Sequence, residues 1–264
     1  MANLFFPQLA SGALTQYPIR KSRVGRTLQN ILPDGSVILA SDRSATRLIW
    51  QLAYTGLASE DMDALSAHFE ACQGRLRSFT FLDPTNNLLT SSSNLSEQPW
   101  QADSSLSLTG QVLDGAGDIT AVVLTNNGQA DAGITQPLNI PAGYQYCFSI
   151  YARSAAPATF SLVRSGPGSV ETEKFQTTSN WHRYVSSGKL NDTGTLRVAI
   201  RAPAGQQIVL YGPQLEAQIA PSSYRPTFQT GGVYSNAHFG MDELPYSADA
   251  PNQFSTMFSI EAAI

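Results

Sequence analysis

The chain has 264 residues, a net charge of −4 and 14% charged residues, and so weak a charge excludes electrostatic capture of nucleic acid or an anionic membrane. Short runs of β-branched and aromatic residues between 20 Gly and 15 Pro indicate an all-β fold with many turns. The amino terminus lacks a basic region before an apolar one, and no run of about 18 apolar residues occurs, so we expect a soluble chain with no signal peptide and no membrane insertion.

Two strands are predicted ahead of the first helix. Residues 16–29 alternate loosely between polar and apolar side chains and present the basic residues Arg20, Lys21, Arg23 and Arg26. The second strand places a strongly apolar set on one face, namely Leu48, Trp50, Leu52 and Tyr54. That apolar face requires a covering element.

The covering element is predicted to be a short α-helix with its N-cap at Ser59 and a left-handed residue at Gly74. Its apolar stripe recurs at three- and four-residue steps and consists of Met62, Leu65, Phe69 and Cys72. His68 lies off this stripe, and we interpret it as a packed or surface histidine. A strand around Phe79 and Phe81 follows.

From Asn87 onwards the composition changes to Ser, Thr, Asn and Gly with short alternating runs. Each run fits a half-buried strand, and they lie around residues 106–108, 121–124, 144–150, 160–162, 181–183, 198–200 and 208–210. Gly-, Asn- and Pro-rich turns separate them. Strands at this spacing predict a β-sandwich of the jelly-roll type.

The carboxyl-terminal segment after Pro226 is too short to fold alone, yet it carries strand signals around 233–239 and 254–260. It must therefore complete another sheet. We predict one discontinuous domain formed by 1–86 and 227–264, interrupted by an inserted sandwich at 87–226. Residues 227–264 contain four acids and no Lys or Arg, so pairing with the more basic amino-terminal part is electrostatically permitted.

Residues 47–84, which run from RLIWQLAYTGL through a helix to FTFLDP, resemble distal tail (baseplate hub) proteins of long-tailed bacteriophages. The ending PNQFSTMFSIEAAI is similar to the way such chains close. The segments NLLTSSSNLSEQPW and YGPQLEAQIAPSSYRPT resemble the first and last parts of a carbohydrate-binding-module-like jelly roll that phages insert into tail proteins. Together these resemblances cover nearly the whole chain.

The resemblance implies a structural role in the virion tail, with no catalysis. A β-sandwich belt domain would assemble into a ring, a homohexamer, that joins the tail tube to the tail hub proteins, and the inserted module would project outwards. A closed ring needs two different complementary patches on each subunit. Arg20, Lys21, Arg23 and Arg26 are the candidate assembly interface, and a solvated strand face is the alternative.

The residue types that carry chemistry do not assemble into a motif. The three histidines, His68, His182 and His238, show no metal-ligand or nucleophile–base spacing, so we expect no metal centre and no required cofactor. A turn at Asp114 and Asp118 is rich in oxygen and compatible with a structural Ca²⁺. Glu171 and Glu173 lack the apolar surroundings that a glycosidase acid needs. Cys72 and Cys147 are expected to be buried free thiols.

Sugar recognition requires aromatic surfaces with polar groups that orient the ring. Tyr144, Tyr146 and Trp181 are expected to pack inwards. Tyr151 and Tyr184, with Arg153 and Arg183 nearby, are therefore the candidate glycan-binding residues, and ordinary surface aromatics are the alternative. The partner would be a polysaccharide of the host cell surface.

Two other functions remain open at this point. One is a receptor-binding side-fibre or tip protein, which would be trimeric. The other is a secreted carbohydrate-active protein, against which the absence of a signal peptide argues.

Overall fold

A computed structural model describes residues 4–264, and it confirms the predicted fold class: within these residues the chain is all-β with one α-helix. In chain order the elements are β1 (Arg20–Ile31), β2 (Val37–Leu57), α1 (Ser59–Cys72), β3 (Phe79–Leu82), β4 (Gln101–Ala102), β5 (Leu106–Val112), β6 (Ala121–Asn126), β7 (Ala132–Pro141), β8 (Tyr146–Arg153), β9 (Thr159–Ser165), β10 (Val170–Gln176), β11 (His182–Gly188), β12 (Thr195–Ala202), β13 (Gln207–Glu216), β14 (Val233–Phe239), β15 (Tyr246–Ala250) and β16 (Gln253–Ala263). The helix of the described chain is not long and apolar enough to cross a bilayer.

The chain divides into two compact units. Unit 1 comprises the chain up to Phe81 together with Tyr234–Ile264, and unit 2 comprises Leu82–Val233. The boundaries expected from the sequence, after residue 86 and after residue 226, both lie inside unit 2.

Unit 1 is built on one sheet, sheet I, with the strand order β1-β2-β16-β14-β3, and β15 pairs with β16. The alternation predicted for the second strand is correct, because Leu48, Trp50, Leu52 and Tyr54 are all buried. Aromatic rings dominate the core: Trp50 contacts Phe81 at 5.0 Å between ring centroids, and Tyr54 stacks on Phe258 at 5.7 Å. Edge-to-face and stacked pairs of this kind add to the stability that burial provides.

The helix α1 is present, but its ends and its buried stripe differ from the prediction. It begins at Ser59, so Ala58 is the N-cap and no side chain caps it. Ser59 instead donates its backbone N–H and its hydroxyl to the side-chain oxygen of Asn252. The left-handed cap residue is Gln73, with Gly74 also at positive φ.

His68 belongs to the buried face of α1, which also contains Met62, Leu65 and Cys72. The sequence placed Phe69 on that face instead. Phe69 is half-buried and meets Phe239 at 4.9 Å, while His68 is 8% exposed and packs edge-on against Phe79 at 4.8 Å. The Nε2 of His68 also lies 3.6 Å from the Sγ of Cys72.

The β1–β2 hairpin extends beyond the rest of the sheet. Strand β2 pairs with β16 only from Arg47 onwards, whereas its first part pairs with β1 alone. Almost every described residue of the hairpin from 25 to 41 is exposed. Apolar side chains are exposed too, namely Leu28, Ile31, Val37, Ile38 and Leu39. A two-stranded ribbon with no packed face is marginal on its own.

Unit 2 is a sandwich of two five-stranded antiparallel sheets. Sheet II has the order β10-β9-β12-β7-β4 and sheet III has the order β11-β8-β13-β6-β5. The chain passes repeatedly from one sheet to the other, which is the jelly-roll arrangement expected from the sequence. Strands β4, β7 and β10 were not predicted.

The first and last segments of unit 2 are tied together by Asn87. Its side chain is fully buried and makes four hydrogen bonds: it donates to the carbonyl oxygens of Pro213 and Arg225, and it accepts from the backbone N–H groups of Leu89 and Leu215. A second link connects Thr227 with Leu89, because the hydroxyl of Thr227 donates to the carbonyl oxygen of Leu89. The two motifs that the sequence singled out thus close the sandwich.

Candidate functional site

The outer face of sheet III carries the candidate site. On β8 the buried residues Phe148, Ile150 and Ala152 point into the sandwich, so Tyr151 and Arg153 point outwards. Tyr151 lies opposite Arg183 of β11 and opposite Tyr211 of β13 in the register. Three adjacent strands therefore bring their outward side chains together.

Four rings form a continuous cluster, which we call the aromatic face: Tyr151, Trp181, Tyr211 and Tyr224. Tyr151 and Tyr211 are stacked at 4.6 Å with an interplanar angle of 13°. Trp181 meets Tyr211 edge-to-face at 4.8 Å, and Tyr224 meets Tyr211 at 6.4 Å. All four are half-buried. The rings hold one another in place and still present apolar surface and phenol hydroxyl groups at the surface.

Two glycines allow the rings to approach the backbone this closely. Gly212 has φ +64, and a Cβ there would lie 3.2 Å from Tyr224 and 3.4 Å from Tyr151. At Gly115 a Cβ would lie 2.7 Å from the hydroxyl oxygen of Tyr211. A larger residue at either position would displace the aromatic face.

Two guanidinium groups flank the rings. Arg153 lies over Trp181 at 4.9 Å, and Arg183 lies over Tyr151 at 5.3 Å. Arg183 is held further by Ser149, whose hydroxyl accepts from its Nε and Nη2, and by the carbonyl oxygen of Ser222. Cation–π contacts with these half-buried rings restrain both guanidinium groups.

The segment 217–226 folds back over one end of this face. Its carbonyl oxygens accept from outward side chains of sheet III: Ile219 accepts from Ser187, and Ser222 accepts from Arg183. Gln214, which also points outwards, donates to Ser223 and accepts from the N–H of Arg225.

A cavity of about 230 Å³ lies beside the aromatic face, and Tyr211, Tyr224, Asp114 and Asp118 are among its lining residues. It is smaller than the roughly 300–1,000 Å³ of typical small-molecule pockets. A single ring or a terminal group of a larger molecule suits it best.

Asp114 organises the loop beside this cavity. It accepts from the backbone N–H groups of Ala116 and Asp118 and from the hydroxyl of Thr120. Burial alone would raise its pKa, but these hydrogen bonds outweigh burial and the pKa of Asp114 is lowered. Among the described residues no three His, Cys, Asp or Glu side chains come together as a metal-binding group.

Burial also raises the pKa of Tyr211 to about 12, with smaller contributions from Tyr151 and Asp114. Burial raises the pKa of Tyr224 as well. Both phenols therefore stay protonated near neutral pH and keep their hydrogen-bond donors.

The structure brings together three of the four predicted glycan-site residues, Tyr151, Arg153 and Arg183. Tyr184 was expected to be exposed, and this is wrong: it is 8% exposed, it meets Phe160 edge-to-face at 5.1 Å and its hydroxyl donates to the carbonyl oxygen of Gln176. Conversely, Trp181 was expected inside and lies on the aromatic face. Tyr211 and Tyr224 were not singled out as site residues, although both lie in the motif YGPQLEAQIAPSSYRPT.

The candidate assembly residues lie on β1 of unit 1. Arg20, Lys21 and Arg23 occupy the part of β1 that pairs with residues 48–51 of β2, and Arg26 lies on the projecting part. Arg26 forms an ion pair with Asp42, and Lys21 lies 5.4 Å from the ring of Trp50.

Both cysteines are buried free thiols, as predicted. Burial raises the pKa of Cys72 to about 11 and that of Cys147 to about 12, so neither is a thiolate near neutral pH.

No protein-family model matches the chain, and no curated protein matches it. Solved structures do. TmCBM61, in complex with beta-1,4-galactotriose, aligns at 17% identity and a TM-score of 0.39, over 49% of this chain and 97% of its own. The CBM22-1 xylan-binding domain of Paenibacillus barcinonensis Xyn10C aligns at 16% identity and a TM-score of 0.42, over 51% and 96%. The enzymatically active domain of bacteriophage CBA120 tailspike protein 4 aligns at 12% identity and a TM-score of 0.40, over 52% and 22%.

Proposed function

We propose that this chain is a structural protein of a phage tail tip and that its unit 2 binds glycans of the host surface through the aromatic face. The glycan-binding half of this proposal rests on one observation: Tyr151, Trp181 and Tyr211 lie together with two arginines on one surface of sheet III. The tail-tip half is supported by the sequence resemblance of residues 47–84. In this proposal the protein acts by binding and assembly, without catalysis.

The chemistry of the aromatic face suits a sugar. Pyranose rings present apolar C–H surfaces and a rim of hydroxyl groups, which require apolar contact together with donors and acceptors. Mutual stacking restrains the rings of the aromatic face before any ligand arrives, so binding loses little side-chain entropy. The phenols of Tyr211 and Tyr224, which line the cavity, supply the polar contacts.

Tyr211→Ala tests the binding half, because this ring touches Tyr151, Trp181 and Tyr224 and its loss disperses the cluster. We expect affinity for a bound polysaccharide to fall by more than about tenfold. The measurement is affinity electrophoresis and a glycan array with the full chain. Tyr246→Ala is the matched control, because Tyr246 is 63% exposed on unit 1.

Tryptophan emission gives an independent reading. Trp50 and Trp100 are buried and Trp181 is half-buried on the aromatic face, so a bound sugar should change the emission of Trp181. Trp181→Phe should abolish that change. Failure of the full chain to bind any polysaccharide, or equal loss in Tyr246→Ala, would contradict the binding half.

The assembly half is supported by the β1–β2 hairpin. Its exposed apolar side chains need a partner surface, and its basic residues face solvent on the strand that forms one edge of the sheet. Acidic side chains are exposed at the carboxyl-terminal part of unit 1, among them Glu243 and Asp249. Two unlike patches of opposite charge on one subunit fit a head-to-tail ring, and we propose a homohexamer joined to the tail tube and hub. A trimeric receptor-binding tip is the second candidate.

A further inference from the structure

Arg153 lies beside the aromatic face, and its side chain has hydrogen-bond donors for which the described residues of the protein supply no acceptor. Its guanidinium lies over Trp181 at 4.9 Å, and its Nε is buried without a hydrogen-bond partner. Within residues 4–264, no hydrogen bond or ion pair to protein is made by its other nitrogens either. A buried donor without an acceptor costs free energy, and no described group of the protein offsets that cost here.

Two other arginines of unit 2, Arg183 and Arg164, are satisfied by the protein itself. Arg183 donates to Ser149 and Ser222. Arg164, buried between the sheets, donates to the hydroxyl of Ser186 and the carbonyl oxygen of Gly188. Arg183 and Arg164 therefore bond to groups of the protein. Arg153 instead contacts the ring of Trp181, and its N–H groups have no acceptor on the part of the protein that the structure describes.

The acids of the neighbouring surface do not neutralise Arg153. Glu216 accepts from Ser222 and from Gln218. Asp114 is engaged by the backbone and hydroxyl groups of its own turn. The positive charge of Arg153 is therefore available to a ligand.

We propose that Arg153 binds a carboxylate, and hence that the glycan taken by the aromatic face is an acidic one that contains uronate-type sugars. This inference rests on the proposed glycan binding and adds the substrate class. A planar guanidinium with a fixed orientation matches the planar carboxylate through paired N–H···O bonds. Because the contact with Trp181 already restrains the guanidinium, less conformational entropy is lost on binding.

The test compares an acidic polysaccharide with its own carboxyl-reduced form, which keeps the sugars and linkages and lacks the charge. Polygalacturonate, alginate and hyaluronan are offered to the full chain in both forms, with neutral galactan and xylan and with dextran sulfate alongside. We expect at least one native polymer to bind about tenfold or more tightly than its reduced form.

Arg153→Gln should remove that difference and leave the thermal unfolding midpoint of the full chain unchanged. Arg153→Lys, which keeps the charge without the planar fork, should recover only part of the affinity. Arg197→Gln is the control, because Arg197 is exposed on β12 of sheet II. It should bind as the wild type does.

The outcomes separate the two ideas. Equal binding of native and reduced polymers, or binding of neutral polymers alone, would overturn the role of Arg153 and leave glycan binding intact. If Arg153→Gln kept the preference for native over reduced polymer and bound dextran sulfate as the wild type does, other positive groups would be attracting the polyanions, and this would also overturn it. Absence of binding to every polymer would overturn the proposed glycan binding itself.

Discussion

At the scale of single residues, the fold of unit 2 depends on side chains that satisfy the backbone of distant segments. Asn87 is the strongest example, because its amide serves two carbonyl oxygens and two backbone N–H groups from both ends of unit 2. A water molecule cannot easily replace it at a site with no solvent exposure. Its loss leaves buried polar groups unpaired.

Asn87→Ala is therefore expected to lower the free energy of unfolding of unit 2 by about 3–5 kcal/mol. Hydrogen-exchange mass spectrometry across a urea series measures this, because it reads the peptides of each unit separately. Asn139→Ala, at an exposed position of β7, should cost less than about 0.5 kcal/mol. Similar effects of the two substitutions would mean that Asn87 does not tie the segments together.

His68 gives unit 1 a dependence on pH. Burial among Phe6, Phe79 and Phe239 lowers its pKa from 6.5 to about 4. The unfolded chain thus takes up a proton below pH 6.5 while the folded unit resists it until about pH 4. The contribution of His68 to the free energy of unfolding is therefore fully present above pH 6.5. It falls by up to about 3 kcal/mol as the pH is lowered to about 4.

His68→Leu should flatten this part of the stability curve, and the same hydrogen-exchange series repeated at several pH values measures the slope. His182→Gln is the control, because His182 is exposed on β11 of unit 2. An unchanged slope in His68→Leu would show that another group titrates.

The sequence predicted the candidate site in part, and the error lies in the phase of one strand. Trp181 was placed inside and Tyr184 outside, whereas β11 has the opposite phase. A strand with a one-residue error in phase exchanges every side chain between its faces. The register shows that Arg183 lies opposite Tyr151, so these two residues had to share a face. That pairing is a tertiary fact which alternation within one strand does not contain.

At the scale of elements, the strands with an evident apolar alternation were predicted and those without it were missed. Strand β10 is an edge strand whose described side chains are exposed except for the half-buried Phe175. With no buried face, its sequence has no alternation of apolar and polar residues from which a strand could be predicted. Strand β7 contains Pro137, and a proline within a run is a signal against a central strand. Its neighbour β4 pairs only with Ile134 and Thr135, so Pro137 lies where β7 has no partner on that side.

The projecting hairpin is the element whose sequence is least explained by the unit that carries it. Its alternation predicts a strand, and the strand is present. Within the described chain, the part of β2 that precedes Arg47 nevertheless pairs with β1 alone, and the residues from 25 to 41 are almost all exposed. Elements of this kind persist when another surface covers their apolar side chains. The hairpin is thus where intramolecular packing ends and, in our proposal, where assembly begins.

At the scale of the whole molecule, charge is segregated along the sequence. Residues 227–264 contain four Asp and Glu residues and no Lys or Arg, whereas the basic residues of β1 lie near the amino terminus. Because both sets belong to unit 1, each subunit offers a basic edge and an acidic surface. Attraction between such surfaces is screened by salt, so self-association should weaken as ionic strength rises.

Removal of the hairpin tests this assembly. Val24 and Arg47 are paired in the register, so replacing residues 25–46 by an Asn-Gly turn keeps β1 and β2 aligned and leaves the pairing of β2 with β16 in place. The full chain should form closed six-membered rings at low salt by native mass spectrometry and negative-stain imaging, and the shortened chain should stay monomeric with unit 1 folded by hydrogen exchange. Rings formed equally by the shortened chain would show that the hairpin is not the surface that joins the subunits. A wild-type chain that never self-associates, or three-fold spikes in the images, would contradict the proposed ring itself.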